Sequence, residues 1–119
     1  MWLKCLADLI FPRKCEICGR LLTGDERYIC EDCMEDMPLT YYWDWPENPA
    51  EKKLWVRTHL HRVIPLFFYT RESRYITLIH KIKYQGKAHL GHYMGFMLGE
   101  KLRGVLSDVD YVVPIPLHP

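Results

Sequence analysis

No stretch of this chain is long and apolar enough to cross a bilayer as a helix. The first twelve residues place Lys4 and Asp8 among apolar neighbours. They lack both a continuous apolar centre and a small-residue cleavage site, so they do not read as a secretory leader. With no export signal there is no reason to expect an oxidising compartment, and paired disulfides lose their usual context. The reading is a cytoplasmic protein. A strong net charge is also missing: the formal balance is +1 over 119 residues. That small sum conceals two unequal halves. Residues 1–50 hold five Lys/Arg against ten Asp/Glu, a balance of −5, and residues 51–119 hold eleven against five, a balance of +6. An acidic first half is a poor phosphate binder, so anionic partners are expected at the second half.

What the sequence does have is five cysteines, four of them in two like steps, Cys15-Glu16-Ile17-Cys18 and Cys30-Glu31-Asp32-Cys33. A Cys-x-x-Cys step lets two thiolates converge from one tight turn. Two such turns close the tetrahedral sulfur shell that zinc accepts in structural sites. Eleven residues separate the pairs, fewer than is usual for such sites, so the ribbon should be compact. Gly19, immediately after the first pair, suits the positive φ that a knuckle requires. Two disulfides, an iron–sulfur cluster and a redox-active dithiol are the other readings of four cysteines. A thioredoxin-like dithiol calls for one pair beside a βαβ pattern, whereas an iron–sulfur cluster shares the donor set. Residues 1–45 are too few for a self-sufficient core, which a structural metal offsets. Cys5 is left over, and its place on an apolar helical face predicts a buried small hydrophobe.

Pattern divides the chain into four segments. Residues 1–12 form an amphipathic helix, with Trp2, Leu3, Leu6, Leu9 and Ile10 on one face and Pro12 as its stop. It should pack on the segment after it; a membrane-surface anchor would need a basic face, and one Lys with one Asp does not make one. Residues 13–40 are the Cys₄ ribbon, with strands at Leu21-Leu22 and Tyr28-Ile29 turning through Thr23-Gly24-Asp25. Residues 41–58 are an aromatic, proline-rich connector. Tyr41, Tyr42, Trp43 and Trp45 there suit either base stacking or packing against the next unit. Within residues 59–119, Val63 to Tyr69 predicts an edge strand containing Pro65. Ser73 caps a helix to Lys83 with Ile76, Ile79 and Ile82 inward, and Gly86 closes it. A second helix runs from Lys87 to Leu106 on a stripe of Leu90, Met94, Met97, Leu98, Leu102 and Val105. Val112 to Pro116 then reads as an apolar strand, in α/β order. His59 with His61 and His89 with His92 are spaced to share a face, but no third ligand stands near either pair.

Four segments in this order resemble the ComF family of competence-associated, phosphoribosyltransferase-like proteins. They are Leu9-Ile10-Phe11-Pro12-Arg13-Lys14-Cys15-Glu16-Ile17-Cys18-Gly19, the pair Cys30 and Cys33, Leu78-Ile79-His80-Lys81-Ile82-Lys83-Tyr84-Gln85-Gly86, and Val112-Val113-Pro114-Ile115-Pro116-Leu117-His118-Pro119. The resemblance implies an α/β fold: a small double zinc ribbon followed by the N-terminal portion of a type I phosphoribosyltransferase-like domain. It implies Zn²⁺ on Cys15, Cys18, Cys30 and Cys33. Mg²⁺ and phosphoribosyl pyrophosphate would bind only in a complete family member, with Lys81, Lys83 and Lys87 as candidate phosphate contacts. Competence and DNA uptake suggest single-stranded DNA or DNA-processing proteins as partners. The family's acidic pair before Thr-Thr-Gly does not occur in these 119 residues, so they are expected to lack transferase activity. The alternative is a non-enzymatic ribbon module that binds single-stranded DNA or a protein.

Overall fold

The computed structural model describes residues 2–115. Five α-helices punctuate an otherwise irregular chain: α1 Trp2–Ile10, α2 Glu31–Glu35, α3 Pro49–Trp55, α4 Ile76–Tyr84 and α5 Ala88–Leu102. A single 3₁₀ turn spans Tyr42–Asp44. Among the described residues the only β pairing is two isolated antiparallel bridges, Lys14 with Leu21 and Leu39 with Phe67.

The expected strands therefore do not form. At Val63–Tyr69, Phe67 makes one bridge; Thr40 N donates to Leu66 O at 3.1 Å and Phe68 N to Pro38 O at 2.8 Å. Pro65 cannot donate to a longer ladder. Residues 112–115 are exposed and irregular, because β-rich sequence becomes a strand only beside another and none lies alongside among the described residues. Pro116 and the three residues after it lie outside the described residues. The α/β architecture implied by the resemblance is thus represented here by a ribbon and helices. In the ribbon, the expected strand pairs reduce to the Lys14–Leu21 bridge.

Two helices appear where irregular chain is expected. α2 starts at Glu31 between the second pair of cysteines, with Glu31 and Asp32 at its positive end. α3 arises inside the proline-rich connector: the Asn48 side chain accepts from the Glu51 amide at 3.0 Å, and Pro49 occupies the first helical position. Proline reads as a breaker in a sequence scan, but here it starts a helix.

The core joins ribbon to helices. Cys15, Leu22, Ile29, Cys30, Cys33 and Met37 share one buried cluster with Tyr75, Leu78, Leu90 and Met94. Leu78 and Leu90 are fully buried, so α4 turns Leu78 rather than its three isoleucines deepest into the core. α5 follows its expected stripe, ending earlier, at Leu102. Gly86, at φ +65°, closes α4 and reverses the chain. Ser73 acts one turn earlier than expected: Tyr75 N donates to its Oγ at 3.2 Å, and the helix proper begins at Ile76.

α1 departs most from expectation. None of its residues is buried, and Cys5 is exposed, because nothing among the described residues covers this helix.

A second buried centre pins the connector. Glu51, 1% exposed, accepts from Arg62 Nε at 2.8 Å, Asn48 Nδ2 at 3.0 Å and the Val63 amide at 3.2 Å. Arg62 also donates to Tyr42 O at 2.8 Å. Burial alone would raise the Glu51 carboxyl, but the Arg62 guanidinium and the Val63 amide outweigh it and hold it below the ordinary glutamate range. A carboxyl lowered in the folded state stabilises above the ordinary glutamate pKa of about 4.3. That contribution is lost as pH falls through the lower folded value. Replacing Glu51 with Gln should cost about 2–3 kcal/mol near neutrality, since it strands a largely buried guanidinium. Denaturant melts should show the wild-type advantage shrinking on acidification; an advantage that is constant from neutral pH to well below about pH 4 would contradict the assignment.

Candidate metal centre

Each sulfur reaches the centre by a local device. Cys15 and Cys18 flank a turn closed by Gly19 N to Cys15 O at 3.0 Å, with Gly19 at φ +77°. A side chain at Gly19 would meet no atom, so its requirement is conformational and not spatial. Cys30 precedes α2, and Cys33 lies within its first turn, so the helix aims both thiols to one side. The knuckles are stitched by Cys15 N to Arg20 O at 2.7 Å and Glu16 N to Tyr28 O at 2.8 Å. On the outside, Arg20 bridges Asp32 at 2.6 Å and Glu26 at 3.2 Å.

The four Sγ atoms lie within 4.8 Å of one another, with Cys15, Cys30 and Cys33 buried and Cys18 exposed. No other group of three or more potential ligands gathers among the described residues. All five cysteines are free thiols. A tetrahedral ion with metal–sulfur bonds of about 2.3 Å places sulfurs roughly 3.8 Å apart, and Cys18 and Cys30 already approach to 3.6 Å. The donor set and spacing fit a zinc ion in a closed, four-sulfur shell.

The electrostatics are those of a site prepared for a cation. Burial raises the Cys15 thiol, but amides of Cys18, Cys30 and Ile17 outweigh it and bring its pKa to about 6. The Cys30 and Ile17 amides reach its sulfur at 3.4 and 3.5 Å. Burial, followed by the neighbouring sulfurs, pushes Cys33 well up, and burial likewise raises Cys30. One thiolate is stabilised by the protein alone. Ionising Cys30 and Cys33 as well, in this confined space, calls for a divalent charge.

Three side chains tie the centre to the helices, and sequence reasoning does not find them. Glu16, inside the first knuckle, accepts from Lys81 Nζ at 2.8 Å and Lys87 Nζ at 2.9 Å, and Lys81 also reaches the Glu16 carbonyl at 2.7 Å. Burial raises the Glu16 carboxyl, and the two ammonium groups reverse that, leaving it lowered. Tyr75 Oη donates to Cys33 O at 2.7 Å from the turn before α4. Tyr28, between the knuckles, packs against His89 and Tyr93 with ring centroids 5.0 and 5.4 Å apart. No sequence rule links residues 16 and 81 before the fold is known.

Other candidate residues scatter. Of the three candidate phosphate lysines, Lys81 and Lys87 are engaged with Glu16, while Lys83 is exposed. His59 and His61 lie on irregular chain, and His61 Nε2 stands 3.8 Å from Asp108. In the connector, Tyr42 and Trp43 are buried whereas Tyr41 and Trp45 are exposed, so the quartet divides between packing and surface.

Residues 6–42 match the family model described as a double zinc ribbon domain. The chain thus carries a zinc ribbon, with its four cysteines positioned to bind a zinc ion. No curated protein and no solved structure matches the chain.

Stripping the metal should disorder more than the ribbon, because α4 and α5 share its core. Chelation is expected to cost at least about 3 kcal/mol, lowering Tm by roughly 10 °C for a domain of this size. Calorimetry showing an unchanged transition after complete metal removal would refute this. Glu16→Gln, with the four cysteines intact, should cost about 1–2 kcal/mol through two partly screened ion pairs. A double-mutant cycle with Lys81→Met should show coupling between the sites, and strict additivity would count against the contact.

Proposed function

We propose that the chain is the N-terminal part of a ComF-family, phosphoribosyltransferase-like protein in which the zinc ribbon is structural. One observation carries the structural role: buried ligands Cys15, Cys30 and Cys33 belong to the same apolar cluster as Leu78 and Leu90 of the helical hairpin. A ribbon that presents its knuckles to nucleic acid would keep them at the surface. Here three of the four ligands face inward, Cys18 alone being exposed, and Glu16 ties the first knuckle to the helices while Tyr75 ties the second. The family reading is supported by which segments meet: Glu16 in the first matched segment contacts Lys81 in the third, so the two form one body.

On this reading the ribbon holds the α4–α5 hairpin in place for a following phosphoribosyltransferase-type domain. The phosphate role narrows to Lys83, because Lys81 and Lys87 already share one carboxylate. These 119 residues have no acidic pair with Thr-Thr-Gly, so neither ribose nor Mg²⁺-pyrophosphate has its customary holders here. The reading carries with it a cytoplasmic protein whose partners are single-stranded DNA, DNA-processing proteins or, in the complete protein, a phosphoribosyl substrate. A second reading draws on the exposed rings of Tyr41, Trp45, Phe68 and Tyr69, which suit stacking with single-stranded DNA.

Metal analysis of the purified chain should give one zinc per chain. Incubation with phosphoribosyl pyrophosphate and Mg²⁺ should release no pyrophosphate. The coding sequence beyond the Pro119 codon is expected to continue in frame into an acidic pair with Thr-Thr-Gly; a complete frame without it would overturn the transferase-like assignment. Single-stranded DNA binding that is lost on Trp45→Ala and weakened by salt would favour the second reading.

A further inference from the structure

We infer that the ribbon is also a peroxide-responsive switch, with Cys18 as the sulfur oxidised first and Cys30 as the one that resolves it into a disulfide. The starting observation is an asymmetry among the four ligands. Cys15, Cys30 and Cys33 are 3%, 0% and 1% exposed, whereas Cys18 is open to solvent. Sulfur on zinc keeps thiolate character, and thiolate character together with access decides which cysteine an oxidant reaches. A shell with all four sulfurs inside would be shut to it. Here one corner stands open. Cys5 is exposed as well, yet it lies outside the four-sulfur group. The switch goes beyond the structural role of the ribbon and does not depend on which domain follows it.

A sensor cysteine also needs a resolving partner close by. Cys18 Sγ and Cys30 Sγ stand 3.6 Å apart. A disulfide closes at about 2.05 Å, so bridging them takes a shift of roughly 1.5 Å. The other two cysteines are more firmly placed. The Cys15 sulfur accepts from the Cys30 and Ile17 amides at 3.4 and 3.5 Å, and the Cys33 carbonyl accepts from Tyr75 Oη at 2.7 Å. The chemistry balances with one molecule of hydrogen peroxide. The Cys18 thiolate attacks an oxygen, the O–O bond breaks, and hydroxide leaves; the sulfur, oxidised by two electrons, becomes a sulfenic acid. The Cys30 thiolate then attacks that sulfur and expels a second hydroxide as the S–S bond forms. Two protons from solvent convert both hydroxides to water. Cys15 and Cys33 then supply two sulfurs where a closed zinc shell takes four, so Zn²⁺ passes to solvent. The signal reaches the helices because Cys30 and Cys33 share one buried cluster with Tyr75, Leu78 and Leu90. An oxidant at one open corner thereby loosens α4 and α5.

The test uses the zinc-loaded 119-residue chain carrying Cys5→Ser, titrated with hydrogen peroxide while a chromogenic chelator reports free zinc. One zinc ion should be released for each peroxide consumed, with helical ellipticity falling in step. Alkylating the remaining thiols and mapping peptides by mass spectrometry should show Cys18 joined to Cys30, with Cys15 and Cys33 alkylated. Dithiothreitol with added Zn²⁺ should restore both the metal and the helix signal. Cys18→His, which keeps four donors for zinc, should slow release at least about tenfold. If that variant fails to hold zinc, the peptide map of the Cys5→Ser chain decides alone. A first disulfide that leaves Cys18 free would overturn the proposal, as would sulfinic or sulfonic acid at Cys18 in place of the disulfide. So would equal release rates from Cys18→His and its parent, or zinc retained under a large excess of peroxide.

Discussion

Four sulfurs held within 4.8 Å of one another are the constraint on which the remaining structure rests. Bringing buried thiols together without a cation is unfavourable, since each further ionisation meets both desolvation and like charge. With a divalent ion the same crowding becomes four bonds. The chain needs that gain because its cover is thin. Among the described residues there is no strand, and the buried apolar cluster holds only ten residues, three of them metal ligands. Without the centre, Leu22, Ile29 and Met37 would have little to pack on, and Tyr75 and Leu78 would lose the far wall of their pocket.

The charge asymmetry acquires a structural meaning in this light. An acidic ribbon and a basic helical part would attract one another diffusely in any arrangement. The structure converts part of that attraction into fixed geometry. Glu16 is set inside a knuckle, and Lys81 and Lys87 close on it from the end of α4 and the turn after it. Arg74 repeats the pattern at the rim, meeting Asp36 at 2.9 Å. The inner pairs are shielded and so specify orientation. The outer one is exposed to solvent and adds little beyond steering. Two lysines engaged in orientation are two fewer available for phosphate.

How much of this is legible in the sequence depends on the range of the interaction. The metal ligands are, because Cys-x-x-Cys is a local signature whose chemistry admits few partners. The α4–α5 pair is too, since Leu90, Met94 and Met97 repeat at helical spacing and Gly86 marks the reversal. α3 is missed because Pro49 reads as a breaker, when Asn48 before it and Glu51 after it make it a start. The strands expected at 63–69 and, among the described residues, at 112–115 are over-read for a different reason. β-branched, apolar composition reports a preference for pleated surroundings, and it cannot supply the neighbouring strand. Glu16, Tyr28 and Tyr75 are illegible for the most basic reason: their partners lie 42 to 71 residues away along the chain.

The failed expectation for Cys5 has the same root and leads somewhere. An apolar helical face predicts burial only if something is there to bury it. In α1 the periodicity is as clear as in α5, yet α5 finds Ile82 and Tyr28 while α1 finds no cover among the described residues. Two faces of like amphipathic design thus meet opposite fates, and the difference lies in connection. Gly86 folds α5 directly back on α4, whereas no residue of α1 is buried by a neighbouring element among the described residues. Its apolar side is then better understood as a surface awaiting a complement than as a core residue set that missed its place.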